Sequence, residues 1–197
     1  MFNLSERKLT EKELNEYRKD RAYGCFTRNC LELEIWPAVA NSVRFVVFCD
    51  IDQMHQANDR FGYAGVDKKI KAAINTGRQT DIAVARWYSG DELVFLVLEG
   101  PRSGNPLQFC ERIQSRLAQA GLSATFGVVE IRPKETLSPK SSVRRAMTLV
   151  QRAKEDGQRA SIHAEKKLAS AFGQPAQPVK EVGWLGRIAA SLAALVW

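Results

Sequence analysis

Asp91 and Glu92 stand side by side in the run Arg86-Trp87-Tyr88-Ser89-Gly90-Asp91-Glu92-Leu93, between two apolar segments, residues 82–85 and 93–98. Those segments read as strands and Ser89-Gly90 as turn chemistry, which predicts a β-hairpin with both carboxylates at its tip. A solvated turn would explain a lone Gly-Asp-Glu, but a second acidic cluster lies upstream. Residues 43–49 are nearly continuous in β-branched and aromatic types, as in a strand buried on both faces, and the run stops at Asp50 and Asp52. Side chains alternate along a strand, so these two acids are expected on the same side. Buried acids must be hydrated, paired or ligated, because unpaired buried charge is costly. With this strand beside the hairpin, several carboxylates converge. Hard oxygen donors of this kind suit magnesium, which keeps several waters and takes up substrate phosphate oxygens. Two magnesium ions so held can activate a hydroxyl and stabilise leaving phosphates in an in-line displacement, so the chemistry indicated is phosphoryl or nucleotidyl transfer by a two-metal mechanism.

The order Asp50-Ile51-Asp52, Asn58-Asp59-x-Phe61-Gly62, Asp67 and Ser89-Gly90-Asp91-Glu92-Leu93 resembles the GGDEF family of diguanylate cyclases. Two further pieces fit the same order. Asp20-Arg21-Ala22-Tyr23-Gly24-Cys25-Phe26-Thr27-Arg28 keeps the Asp, Gly and Arg of the family's opening Asp-x-Leu-Thr-Gly-Leu-x-Asn-Arg. Ala153-Lys154-x-x-Gly157 is similar to the closing Ala-Lys-x-x-Gly-Arg. The resemblance spans residues 20–160 and implies an α/β palm-like fold, a mixed and mostly antiparallel sheet flanked by helices.

It also implies roles. Asp50 and the backbone carbonyl of Ile51 would hold magnesium or manganese. Asp91 would ligate metal and help activate the 3′-hydroxyl, and Glu92, a further catalytic and metal-site residue, would add negative charge at the same site. Asn58 and Asp67 would read the guanine edge: an amide offers donor and acceptor, and a carboxylate accepts from guanine N–H groups. Lys154 would hold the terminal phosphates, with His55 and Arg159 nearby and backbone N–H groups of the turn after Asp52 adding to them. Ser89 and Gly90 form the signature turn. Arg78 and Asp81 match an Arg-x-x-Asp product-binding motif, at a longer spacing than the family's; a loop ion pair explains them as well. In such enzymes two protomers each hold one GTP, and each 3′-hydroxyl attacks the other nucleotide's α-phosphate. The products are cyclic di-GMP and pyrophosphate, and a homodimer is required.

The chain departs from the pattern. Ser89 replaces the first signature Gly and Leu93 the Phe. His55 stands for a Lys, Tyr63 for a His, Val66 for the Gly before Asp67, and Gln158 for the closing Arg. Two alternatives therefore stay open: a degenerate module that binds GTP or cyclic di-GMP without turnover, and a palm-type cyclic oligonucleotide synthase with another substrate.

Thr10 and Glu13 form a capping-box pattern that opens a lead-in helix to Lys19. A second helix is expected over residues 30–40, ended or kinked by Pro37. After the strand and a turn, a helix runs from about Ala64 to Asn75, followed by the hairpin. A loop over residues 101–106, a helix over 107–120, a strand over 122–131 containing Gly127, and a basic helix over 143–154 complete the order. The domain limits expected are a lead-in at 1–19, a GGDEF-like domain at 20–165, a linker at 166–183 and an apolar segment at 184–197. That last segment, bounded by Trp184 and Trp197, is too short to span a bilayer and carries Arg187. Docking on the domain or a partner, or weak contact with a membrane surface, are its expected uses.

Composition is that of a globular domain, 45% hydrophobic and 26% charged over 197 residues. The net charge of +7 favours an anionic partner, and no nucleic-acid recognition motif is present. Four cysteines without a Cys-x-x-Cys pair argue against a disulfide framework or zinc site, and two histidines against a histidine-rich metal centre. A charged N-terminus without an apolar core gives no signal peptide, so the expected compartment is the cytoplasm.

Overall fold

The computed structural model describes residues 11–75, 82–99, 104–132, 135 and 138–172. Strand β1 (Val43–Ile51) is the centre of a five-stranded sheet of order β2-β3-β1-β4-β5. β2 (Ile82–Arg86) and β3 (Glu92–Leu98) form the expected hairpin. β3 and β4 (Ala124–Glu130) flank β1 antiparallel, and β5 (Ile162–Ala164) adds parallel to β4. The sheet is thus mixed and mostly antiparallel, as the sequence predicts.

β1 feeds two cores. Phe45, Val47, Cys49 and Ile51 enter one, Val46 and Phe48 the other, which is why its sequence shows no polar alternation. The first core is covered by α5 (Tyr63–Ile74) and α6 (Pro106–Gln119), the second by α7 (Pro139–Glu155) and the helical stretch from Arg28. Each covering helix carries its signal. In α5, Val66, Ile70, Ala73 and Ile74 form one buried stripe. Asn105 caps α6 by accepting from the Leu107 N–H at 2.9 Å, and Ser138 caps α7 by accepting from the Ser141 N–H at 3.2 Å. α7 stops where Gly157 adopts φ +73°, with the Gln158 N–H donating to the Ala153 carbonyl at 2.7 Å.

Several elements differ from expectation. Helix α1 (Glu11–Arg18) is the lead-in. The second helix begins earlier than expected, as α2 (Arg28–Cys30) capped by Thr27. It widens to a π-turn over Leu31–Ile35 and returns as α3 (Trp36–Val39), with Pro37 in its first turn. Pro37 has no N–H to continue the ladder, and the Trp36 N–H reaches back to Leu31 instead. The turn after β1 holds an unanticipated helix, α4 (Met54–Phe61), separated from α5 by Gly62 at φ +70°. The three-residue β5 and helix α8 (Lys166–Phe172) were also not anticipated. Residues 166–172, placed in the linker by composition, fold onto the first core: Leu168 is buried and the Phe172 ring meets Phe45 edge-on at 6.1 Å. Thr10, Arg78, Asp81, residues 101–103 of the expected loop, residues 173–183 of the expected linker and the segment 184–197 lie outside the described residues. Among the described residues no helix is long and apolar enough to cross a membrane.

The approach of α7 to the sheet depends on Gly127 in β4. A Cβ there would overlap the Ala146 carbonyl oxygen, and the carbonyl carbon lies only 2.9 Å away. Backbone cannot move aside as a flexible side chain does. Gly127→Ala should therefore lower the unfolding free energy by about 1–3 kcal/mol, the usual cost of overpacking. Urea titration followed by circular dichroism measures it.

Candidate functional site

The site begins with register. β1 and β3 pair so that Asp50 lies opposite Glu92, and the Ile51 N–H donates to the Asp91 carbonyl at 2.9 Å. The strand-end acids and the hairpin acids are therefore brought to one end of the sheet. Lys154, in the last turn of α7, donates to Asp50 Oδ1 and lies 3.6 Å from Asp52 Oδ1. Burial holds the Asp50 carboxyl above its usual range; Lys154 opposes that shift, and the charges of Asp91 and Asp52 add to it.

Asp52 plays a different part from the one its spacing suggested. It is 4% exposed and accepts from Thr125 Oγ1 and from the Ala160 N–H, each at 2.9 Å. Arg159 Nη1 stands 3.9 Å from the same carboxylate. Two non-glycine residues with left-handed backbone flank this acid in space, Gln53 directly after it and Ala160 bonded to it. Such conformations persist only where surrounding structure imposes them. Asp52 is a clasp between the sheet and the loop after α7.

The signature turn is held from both ends. Glu92 accepts from the N–H groups of Tyr88 at 3.2 Å and Ser89 at 3.4 Å, and the Ser89 hydroxyl donates to Asp91 Oδ1. From outside, the Tyr23 hydroxyl donates to the Gly90 carbonyl. Arg86 stacks on the Tyr23 ring at 4.6 Å and pairs with Asp20 at 3.1 Å, while the Asp20 carboxylate also accepts from the Tyr23 N–H at 2.8 Å. Burial pushes the Tyr23 hydroxyl up; the Arg86 charge opposes this and the charges of Asp67, Asp20 and Asp91 reinforce it, so it stays a donor. Sequence reasoning gave Tyr23 and Arg86 no role. The signal available was Tyr23 itself, a large residue where the family's opening motif has Thr.

Asp67 lies on α5, within electrostatic reach of both Tyr23 and Arg86, and so on the hairpin side of the site. Asn58 is half-buried near the end of α4, its carbonyl accepting from the Gly62 N–H at 2.8 Å. His55, in the first turn of α4, is 88% exposed and 3.7 Å from Asp59. Because α4 starts at Met54, its first N–H groups have no carbonyl one turn back within the helix.

Among the described residues no three His, Cys, Asp or Glu side chains gather into a ready-made metal cage. The donor chemistry nevertheless fits magnesium. Asp50 and Asp91 are hard carboxylates whose charges already act on each other, and magnesium is commonly held by one or two carboxylates with waters and substrate phosphates completing its shell.

The family model described as "Diguanylate cyclase, GGDEF domain" matches residues 24–160. Solved structures share the fold. The coiled coil and GGDEF domain of DgcB from Caulobacter crescentus, in complex with c-di-GMP, is 18% identical with a TM-score of 0.65, over 79% of this chain and 89% of that one. The diguanylate cyclase SiaD, in complex with its activator SiaC from Pseudomonas aeruginosa, is 22% identical with a TM-score of 0.57, over 78% and 66%. A microbial GGDEF domain in a structure with cyclic di-GMP is 22% identical with a TM-score of 0.58, over 76% and 99%. At these identities the likeness shows the fold alone. No protein among the curated relatives matches.

The Tyr23 contact generates a prediction independent of catalysis. Tyr23→Phe keeps the packed ring and removes only the donor to Gly90, so stability should fall by about 1 kcal/mol. Hydrogen exchange of the Asp91 and Glu92 amides should quicken while the amides of β4 keep their protection. Uniform loss of protection would show that Tyr23 serves the core rather than the turn.

Proposed function

Since this chain belongs to the GGDEF family, we propose that it is a diguanylate cyclase, condensing two GTP into cyclic di-GMP and two pyrophosphates across a homodimer. The observation that supports this most is the convergence on Asp50: Glu92 opposite it in register, Asp91 one residue away, and Lys154 against its carboxylate.

Asp50 and Asp91 would hold the divalent cation, with the Ile51 carbonyl as a further oxygen donor, and Glu92 fixes the turn that presents Asp91. Bound magnesium or manganese would lower the pKa of the 3′-hydroxyl and offset charge on the phosphates. Lys154 and Arg159 line the side where the terminal phosphates lie, and the first N–H groups of α4 add donors, with His55 at the rim. Asp67 accepts from the guanine amino and ring N–H groups, and the Asn58 amide completes the edge; adenine has an amino group but no ring N–H beside it, so the paired donors are lost. In each half-reaction one O3′–Pα bond forms between the two nucleotides and one Pα–O bond to pyrophosphate breaks. Both nucleotides must sit face to face, so each protomer supplies half of the reacting set.

A second reading, a module that binds nucleotide without turnover, is favoured by one observation. The Ser89 hydroxyl, absent where the family has Gly, engages the Asp91 carboxylate, and a carboxylate so engaged is a poorer metal ligand.

Incubation with magnesium and GTP, with products identified by mass spectrometry, separates the two readings. The expected product is cyclic di-GMP, lost on adding EDTA. Asp91→Ala should reduce its rate by about two to three orders of magnitude, as expected when several kcal/mol of transition-state charge stabilisation is removed. Ser89→Gly should raise the rate. Tight GTP binding with no product in wild type and in Ser89→Gly would establish the binding module instead.

A further inference from the structure

Lys154 contacts the carboxylate that the cyclase reading gives to the metal. Its ammonium donates to Asp50 Oδ1 and stands 3.6 Å from Asp52 Oδ1, with both Lys154 and Asp50 side chains about one-fifth exposed (22% and 20%). An ammonium and a divalent cation on one carboxylate compete for its lone pairs and repel each other at such range. We propose that Lys154 is the resident counter-ion of the metal site, holding Asp50 in the nucleotide-free protein and excluding the divalent cation until a triphosphate draws it away. The proposal rests on the cyclase reading of this site and adds to it a coupling between metal and nucleotide.

The surroundings allow Lys154 to leave. Asp52 does not depend on it, because Thr125, the Ala160 N–H and Arg159 already serve that carboxylate. The base of Lys154 is fixed, since α7 is seated against Gly127 and closed by the turn at Gly157. Its four-carbon stem then allows the ammonium to exchange one anionic partner for another without moving the helix. Phosphate oxygens provide the new partner. Nucleotide and cation thus favour each other's binding, and by linkage the factor is the same in both directions. The arrangement would keep the site from filling with metal alone, when its acids have no substrate to act on.

The test reads metal binding directly in the full-length chain. Mn2+ binding without nucleotide is followed by electron paramagnetic resonance for wild type, Lys154→Met and Lys154→Arg. Nucleotide binding is then measured with 3′-deoxy-GTP, which lacks the attacking hydroxyl and cannot turn over. Lys154→Met should bind Mn2+ about three- to tenfold more tightly than wild type, the range expected for removing one charge partner. The same variant should bind magnesium 3′-deoxy-GTP more weakly. Lys154→Arg, which keeps the charge, should retain the weak Mn2+ binding of wild type and shows that the fold tolerates substitution. Unchanged or weaker Mn2+ binding by Lys154→Met overturns the proposal, as does an absence of Mn2+ uptake by all three proteins. If wild type still binds 3′-deoxy-GTP in those cases, only this inference fails. If it binds no guanine nucleotide and makes no cyclic di-GMP, the cyclase reading fails with it.

Discussion

A carboxylate buried at the end of the central strand has to be neutralised where it stands, and much of this molecule is arranged around that requirement. Asp52 is withdrawn from solvent at the point where β1 gives way to a turn. Its partners come from β4, through Thr125, and from the loop after α7, through Ala160 and Arg159. The unfavourable backbone of Gln53 and Ala160 is tolerated because these bonds offset it. Anchoring that loop also fixes where α7 ends, and the end of α7 sets the position of Lys154. The more exposed neighbour, Asp50, is paired with Lys154 alone among these groups. One strand terminus thus carries two acids in different surroundings, one clasped by backbone and hydroxyl donors and one held by a single ammonium.

The hairpin tip is governed by a separate constraint. A turn that presents adjacent carboxylates tends to splay, since the acids repel and the backbone is short of partners. Here the repulsion is absorbed locally, by the N–H groups that Glu92 accepts from, and externally by the Asp20–Arg86–Tyr23 group reaching Gly90. The opening motif also pairs with the hairpin through backbone: the Phe26 N–H donates to Val84 and the Arg86 N–H to Phe26. Residues distant in sequence but common to one family motif set therefore meet for a mechanical reason.

How much of this was readable from sequence follows from the range of each interaction. The apolar run of β1 and its acidic stop announced a central strand with chemistry at its end. The Ser-Gly turn announced the hairpin. The strand and hairpin signals are local, whereas Gly157 entered the sequence reading only as part of the closing family motif, and its part in ending α7 came from the structure. Helix α4 escaped because it is only eight residues long and its apolar stripe is just Met54, Ala57 and Phe61, which pack against the first core, set among five polar residues. β5 is too short to alternate, and α8 lies in a stretch whose composition reads as linker although Leu168 is packed in the core. The separate duties of Asp50 and Asp52 were also hidden, since alternation put both on one side and only the strand's end, with Thr125 and Ala160 beside it, divides them. Roles for Asp50, Asp91, Asn58, Asp67 and Lys154 came from the family resemblance, and the structure sets Glu92 opposite Asp50 in register and Lys154 against the Asp50 carboxylate.

The placement of β1 between β3 and β4 has a consequence for assembly. The strand is made early in synthesis, yet its partner in β4 and the groups that satisfy its acids come much later: Lys154 is 104 residues from Asp50 and Ala160 is 108 residues from Asp52. Until those segments emerge, a strongly apolar strand is covered on one side only and ends in unsatisfied charge. Contacts of such long separation slow folding and leave sticky edges exposed in the interim. The chain is therefore expected to complete its sheet late and almost all at once, with the charge clasp closing as the final step of a cooperative transition. The same long-range bonds that organise the site also make a truncated or stalled chain prone to aggregation.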